Sequence, residues 1–177
     1  MIKLKTLELT DLEEYKYWKL PFHKYHDFNG PYFKKNSKKE IEDYIQKLTI
    51  ELSTENVSLN KKLIIYSNKI IGEVSWYWKS KETFWLEIGI VIFDEKYWNK
   101  NLGFYALKEW ITYIFDSKPE IVRLGLTTWS GNIGMIKLSE KLGLKKEAEI
   151  RKARIVKGVY YDSVSYGILR KEWEKHT

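Results

Sequence analysis

Residues 86–115, LEIGIVIFDEKYWNKNLGFYALKEWITYIF, carry a β-branched and aromatic run almost directly into a helix-spaced one. Ile88, Ile90, Val91, Ile92 and Phe93 end at Asp94. That run is too short to cross a membrane and has the composition of a central strand. Phe104, Leu107, Ile111, Ile114 and Phe115 then recur at spacings of three and four, so a helix over Leu102–Phe115 buries one face, and Gly103 near its start allows close backbone approach. The first turn of such a helix has N–H groups without intrahelical partners, and the aligned peptide dipoles leave partial positive charge there. A pyrophosphate is a natural guest at that junction.

Outward from this unit, the pattern predicts a strand at Lys3–Leu9 and a helix after Thr10 with Asp11, Glu13 and Glu14 in its first turn. A loop rich in aromatics and histidine follows from Pro21 to Asn36. Ser37 and Glu40 form a capping box ahead of Ile41, Tyr44, Ile45, Leu48 and Leu52, which mark a second helix. Leu63–Tyr66 and Ile70–Trp78 flank Ser67-Asn68-Lys69 as a hairpin, and Phe84–Phe93 pairs next. Beyond the 86–115 unit come a strand at Ile121–Thr127, a helix at Ile133–Leu142 closed by Gly143 in a left-handed cap, and a last pair, Lys145–Arg154 and Val159–Leu169. Strands that meander first and later alternate with helices predict an α+β (mixed α/β) fold. No linker or repeat interrupts the chain, so residues 1–177 are expected to form a single domain.

Composition narrows the chemistry. There is no cysteine, which excludes disulfides, thiolate metal sites and a cysteine nucleophile. Eight Trp, thirteen Tyr and seven Phe exceed the needs of an ordinary core and are compatible with an aromatic-lined pocket or a homodimer contact. Met1–Leu9 alternates charged and apolar residues and lacks a signal-peptide core, and no stretch reads as a membrane span, so a cytoplasmic protein is expected. The net charge of +7 suits an anionic partner, such as the phosphates of coenzyme A, RNA or a ribosome surface, but interspersed Lys and Glu serve solubility equally. Without a stripe of Arg and Lys or a recognisable motif, no specific nucleic-acid binding is expected.

Trp98-Asn99-Lys100-Asn101-Leu102-Gly103 resembles the Q/R-x-x-G-x-G/A acetyl-CoA loop of the GNAT N-acetyltransferases, in the branch that acetylates ribosomal-protein N-termini. Asn99 and Asn101 stand where that branch usually carries Gly. Asn is the non-Gly residue that best tolerates positive φ, at a cost of about 1 kcal/mol; alternatively Asn101 simply caps the helix. Thr127 to Leu144 resembles the family's next block, an Asn that opens a helix closed by E-K-L-G-F. Arg151–Arg154, Gly158–Asp162 and Ser165–Arg170 resemble the closing hairpin of the same branch. The likeness runs from about Lys69 to Trp173.

The resemblance implies a mostly antiparallel central sheet, flanked by helices and splayed between its fourth and fifth strands, with acetyl-CoA as co-substrate in the opening. It implies direct attack by an amine in a ternary complex, the acceptor being a protein N-terminus, a ribosomal one included, or a small amine. Backbone N–H groups around Val91, Ile92 and Phe93 would meet the thioester and pantetheine. Amides of Trp98, Asn99, Lys100, Asn101, Leu102, Gly103 and Phe104 would meet the pyrophosphate, with Asn132 and Met135 beside the pantetheine arm. No metal is called for. An acyl-CoA-binding protein without turnover, or an RNA-associated basic domain, are the alternatives.

Acyl transfer from a thioester asks mainly for positioning, a proton acceptor for the amine and a proton or hydrogen bond for the departing sulfur. The resemblance implies Ser139 as the candidate acid, seven residues after Asn132 at a position where many family members carry Tyr and the N-terminal branch can carry Ser, the alternative being a solvated helix hydroxyl. Glu87 is the leading candidate base and Glu73 the second, either being equally an ion-paired strand carboxylate facing solvent. The resemblance implies that His23 and His26 in the aromatic loop, with Tyr160, Tyr161 and Asp162 at the last hairpin, are candidates for the acceptor pocket. Surface histidines and an Asp bonded to nearby backbone are the plainer readings.

Overall fold

The computed structural model describes residues 1–54 and 60–175. Seven strands form one sheet in the order β1-β2-β3-β4-β5-β7-β6. They are β1 (Ile2–Lys5), β2 (Lys61–Tyr66), β3 (Lys69–Ser80), β4 (Trp85–Ile92), β5 (Arg123–Trp129), β6 (Lys145–Val156) and β7 (Val159–Leu169). The helices are α1 (Leu12–Lys19), α2 (Lys38–Leu52), α3 (Leu102–Ser117), α4 (Ile133–Lys141) and the short α5 (Arg170–Trp173). The fold is the expected mixed α/β one, antiparallel at every strand pair except β4–β5, which runs parallel.

Strand alternation divides the core into two layers. Ile64, Ile71, Leu86 and Ile88 face α3, whose Ala106, Leu107, Trp110, Ile111, Ile114 and Phe115 are buried against them. On the other face Leu63, Ile70 and Phe93 pack with Leu12 and Tyr15 of α1 and Leu48 of α2. The α2 capping box forms as predicted: Ser37 Oγ accepts from Glu40 N at 3.2 Å, and Glu40 Oε2 accepts from Ser37 N at 2.6 Å. The first strand is shorter than expected, because Leu9–Asp11 turns into a single 3-10 turn held by Asp11 Oδ2 on the Glu8 N–H. Gly143 ends α4 at φ 81°, as the cap demands. Among the described residues no helix is long and apolar enough to cross a membrane.

Candidate active site

The parallel β4–β5 pairing lasts for two residues only, Leu86 opposite Leu124 and Glu87 opposite Gly125. Beyond Glu87 the strands diverge. The Phe93 N–H donates to Ile71 O at 2.8 Å, so the alternation of the ladder turns the N–H and C=O groups of Ile90 and Ile92 away from β3 and toward the opening, where the Ile92 carbonyl accepts from Trp98 Nε1 at 2.9 Å. This corrects the expectation for the amides of Val91 and Phe93, both of which face β3, and the Phe93 ring lies in the second core layer. Val91 reaches the opening through its position beside Ile90 and Ile92, all three lining one cleft of about 460 Å³.

That cleft also takes in every residue from Tyr97 to Phe104. Asn99 and Asn101 adopt φ of 56° and 58°, the left-handed conformation for which Asn substitutes for Gly. Asn101 occupies the N-cap of α3 without a side-chain cap bond; its Oδ1 accepts instead from Lys141 Nζ at 2.8 Å. The first amides of α3 are therefore left to whatever enters, and Lys100, Lys137 and Lys141 ring the same mouth. At Gly103 an added Cβ would sit 3.7 Å from Leu138 and 3.9 Å from Ile90, so the absent side chain keeps the floor open between two lining residues.

Asn132 opens α4 with its Oδ1 on the Met135 N–H at 3.1 Å and its Nδ2 on the Phe28 carbonyl at 3.4 Å. The same carbonyl accepts from Trp129 Nε1 at 2.9 Å, and the Phe28 ring meets Trp98 edge-on at 5.5 Å. The aromatic loop is thereby clasped across the opening, with Tyr25, Phe28 and Asn29 lining the cleft. Ser139 is not brought to it. Its side chain is fully buried and its hydroxyl donates to Met135 O at 2.8 Å, which matches neither the solvated hydroxyl nor an acid facing the cleft.

On the face opposite α3, Glu87 sits where the strands part. It is 3% exposed and accepts hydrogen bonds from the Tyr77 hydroxyl and, at 3.2 Å, from Thr127 Oγ1, which also meets Ser165 at 3.1 Å. Burial, followed by the Glu87 contact, holds the Tyr77 hydroxyl firmly protonated. Glu87 is thus no solvent-facing ion pair. Glu73 is ion-paired, though largely buried: Lys19 binds it at 2.6 Å and Tyr15 donates to it at 2.6 Å, beside α1. Burial pushes its carboxyl up, but Lys19 and Lys61 outweigh burial and hold it below the usual range, the opposite of what a base needs.

The histidines do not converge on the cleft. His23 Nε2 donates to Tyr17 O at 2.8 Å and His26 Nε2 to Leu20 O at 3.0 Å, so both tie down the chain leaving α1. Asp162 accepts from the Lys152 N–H at 2.8 Å, the plainer of its two readings. Tyr161 lies edge-on to Trp129 at 4.8 Å, and Tyr160 is 59% exposed. The lining residues missed in the sequence were Tyr25, Phe28, Asn29, Ile90, Tyr97, Gly134, Lys137, Leu138 and Lys141. A signal existed for some: Gly134, Lys137, Leu138 and Lys141 recur at helical spacing after Asn132.

Residues 2–145 match the model of the acetyltransferase (GNAT) domain family. The SPbeta prophage-derived uncharacterized N-acetyltransferase YokL of Bacillus subtilis (strain 168) is 42% identical over 52 residues, which make up 29% of each chain. The "Putative ribosomal N-acetyltransferase YdaF" of the same organism is 28% identical over 111 residues, 63% of this chain and 60% of that one. The matched stretches thus span less than two thirds of either relative. The spermidine N-acetyltransferase of Vibrio cholerae, solved in complex with CoA and spermine, shares the fold at a TM-score of 0.76 and 17% identity, with 98% of both chains covered.

Proposed function

The chain belongs to the GNAT acetyltransferase family, and on that premise we propose that residues 1–177 form one acyltransferase domain that moves an acetyl group from acetyl-CoA to a primary amine, in the cytoplasm. The acceptor is a protein or peptide N-terminus, a ribosomal protein's among them, in preference to a small amine. The relative named for ribosomal acetylation supports that preference, and so does the chemistry. An α-amine of pKa near 8 is partly neutral at pH 7, whereas a lysine near 10.4 is more than three units from losing its proton.

One observation carries the reading: a cleft that begins at the free amides and lysines around Asn99–Gly103 and runs along β4 at Ile90–Ile92, past the end of its two-residue pairing with β5, the last paired residue of β4 being Glu87. The residues present fit acetyl-CoA. Amides of Leu102, Gly103 and Phe104, with Lys100, Lys137 and Lys141, suit its phosphates; the Ile90 N–H and C=O and the Ile92 N–H suit the amide-bearing arm and offer donors to a developing oxyanion, the Ile92 carbonyl being taken by Trp98 Nε1. The amine nitrogen attacks the thioester carbonyl carbon, a C–N bond forms, the C–S bond breaks and the sulfur leaves with the electron pair. Glu87, held by Tyr77 and Thr127, accepts the proton that the amine gives up, directly or through one water.

The test is thermal melting with acetyl-CoA, followed by thiol release across a panel of peptides and small amines. Acetyl-CoA should raise the melting temperature, and peptides with free α-amines should release CoA faster than their lysine-only analogues. Stabilisation without thiol release from any amine would leave an acyl-CoA-binding protein without turnover. No stabilisation at all would overturn the cleft assignment.

A further inference from the structure

The loop between β4 and α3 holds Asn99 and Asn101 at positive φ, and backbone of that kind persists only where its surroundings over-determine it. At the far end of the loop the anchor is Lys141, which binds Asn101 Oδ1. The near end belongs to Trp98. Its backbone N–H donates to the Glu95 carbonyl at 3.0 Å and closes the 3-10 turn Glu95–Tyr97, so this amide is spent within the chain instead of meeting a pyrophosphate as the sequence led one to expect. The indole has a different task. Its Nε1 donates to the Ile92 carbonyl at 2.9 Å, six residues back at the end of β4, and its ring packs against the core layer that holds Phe93.

The same indole meets the Phe28 ring edge-on at 5.5 Å, and the Phe28 carbonyl accepts at 2.9 Å from Nε1 of Trp129, the last residue of β5. A continuous line of contacts therefore runs from the end of β4 through Trp98 and Phe28 to the end of β5, joining two strands that share only two paired residues of their own. Trp98 and Phe28 both line the cleft, so this line ties the loop to the two strands that part there. An indole N–H can only donate, and a half-buried donor and carbonyl that lose each other are both left wanting, so the bond resists opening.

Resting on the reading of the cleft as the acetyl-CoA site, we propose that Trp98 is a positioning residue whose side chain, and not its amide, holds the first amides of α3, at Leu102, Gly103 and Phe104, where the phosphates of the cofactor meet them. Donors fixed beforehand need no ordering when the ligand arrives, and the affinity that ordering would have consumed is kept. By occupying the Ile92 carbonyl the indole also leaves the cofactor's amide-bearing arm to pair at Ile90.

Thiol release with two acetyl donors decides it: acetyl-CoA, and S-acetylpantetheine, which carries the thioester arm without the nucleotide phosphates. The variant is Trp98→Phe, which keeps an aromatic ring beside Phe28 and loses the N–H. The ratio of kcat/KM for acetyl-CoA to that for S-acetylpantetheine should fall about ten-fold relative to native protein, through the KM for acetyl-CoA and not the KM for the amine. Phe28→Leu, which removes the ring contact and leaves the indole bond to Ile92, should lower the ratio about three-fold and carries the test if Trp98→Phe does not fold. An equal loss with both donors marks a merely structural role and overturns the proposal, and an unchanged ratio overturns it as well. If native protein releases thiol with neither donor on any amine, the transferase reading falls and calorimetry decides the proposal by itself: acetyl-CoA should bind native protein about ten-fold more tightly than Trp98→Phe, and equal affinity overturns it. No binding of acetyl-CoA to native protein overturns the cleft assignment and the proposal together.

Discussion

Two hydroxyl groups converge on Glu87 while Ser139 turns its own hydroxyl back into α4, and this contrast separates the two residues proposed for proton transfer. Replacing Glu87 by Gln keeps the shape and removes the proton acceptor. The expected loss is roughly 100-fold in kcat, deepest at the acid end of the pH profile, where the amine most needs help to lose its proton. Replacing Ser139 by Ala removes one helix-internal hydrogen bond of Ser to a carbonyl four residues back, and kcat should stay within about two-fold of native. Measuring both profiles side by side tests the assignment. A flat response in Glu87→Gln returns that residue to a purely structural role, and a large drop in Ser139→Ala shows that α4 rearranges in the working complex.

At the level of elements, the end of the cleft proposed for the cofactor is a meeting of two helix N-termini and one strand edge. The first turn of α3 supplies amides, and α4 turns Gly134, Lys137, Leu138 and Lys141 toward the same space. Lys141 also lies over the Phe104 ring at 4.8 Å, so it is placed by an aromatic face and by Asn101 before any phosphate arrives. Reversing its charge, Lys141→Glu, should weaken acetyl-CoA binding by roughly ten-fold at low salt, because an exposed charge of the wrong sign then faces the phosphates. Calorimetric titration at low and high ionic strength checks this: native affinity should fall with salt, and the variant's should fall less or not at all. Equal affinity of the two proteins at low salt would move the phosphates away from this mouth.

Across the whole molecule, what was legible in the sequence was what local spacing determines. The strand, the Asn-bearing turn and α3 form one contiguous unit, and every cofactor-side residue named from it lines the cleft except Phe93, whose amide direction depends on the β3 register. The proposed acceptor side was not legible, because it is assembled from distant segments. Glu73 and Glu87 both lie on the face opposite α3, on neighbouring strands, yet one meets Lys19 from α1 and the other Tyr77 and Thr127, and nothing local distinguishes them. His23 and His26 likewise found carbonyls at the end of α1 through a bend that spacing does not reveal. The Glu73 cluster has a global consequence, since it joins α1 to the sheet with side chains only 14% exposed at Glu73 and 18% at Lys19. Its folded pKa lies below the ordinary value of 4.5, so its stabilisation is fully present above about pH 4.5 and is lost as pH falls through the folded value. Glu73→Gln should lower stability at neutral pH by about 2–4 kcal/mol, because Lys19 and Lys61 are left without their counter-charge. Urea unfolding of native protein and variant from pH 7 to pH 3 checks both halves: the difference between them should be largest at pH 7 and shrink toward pH 3, and a constant difference would mean that the carboxylate's charge contributes nothing to holding α1 on the sheet.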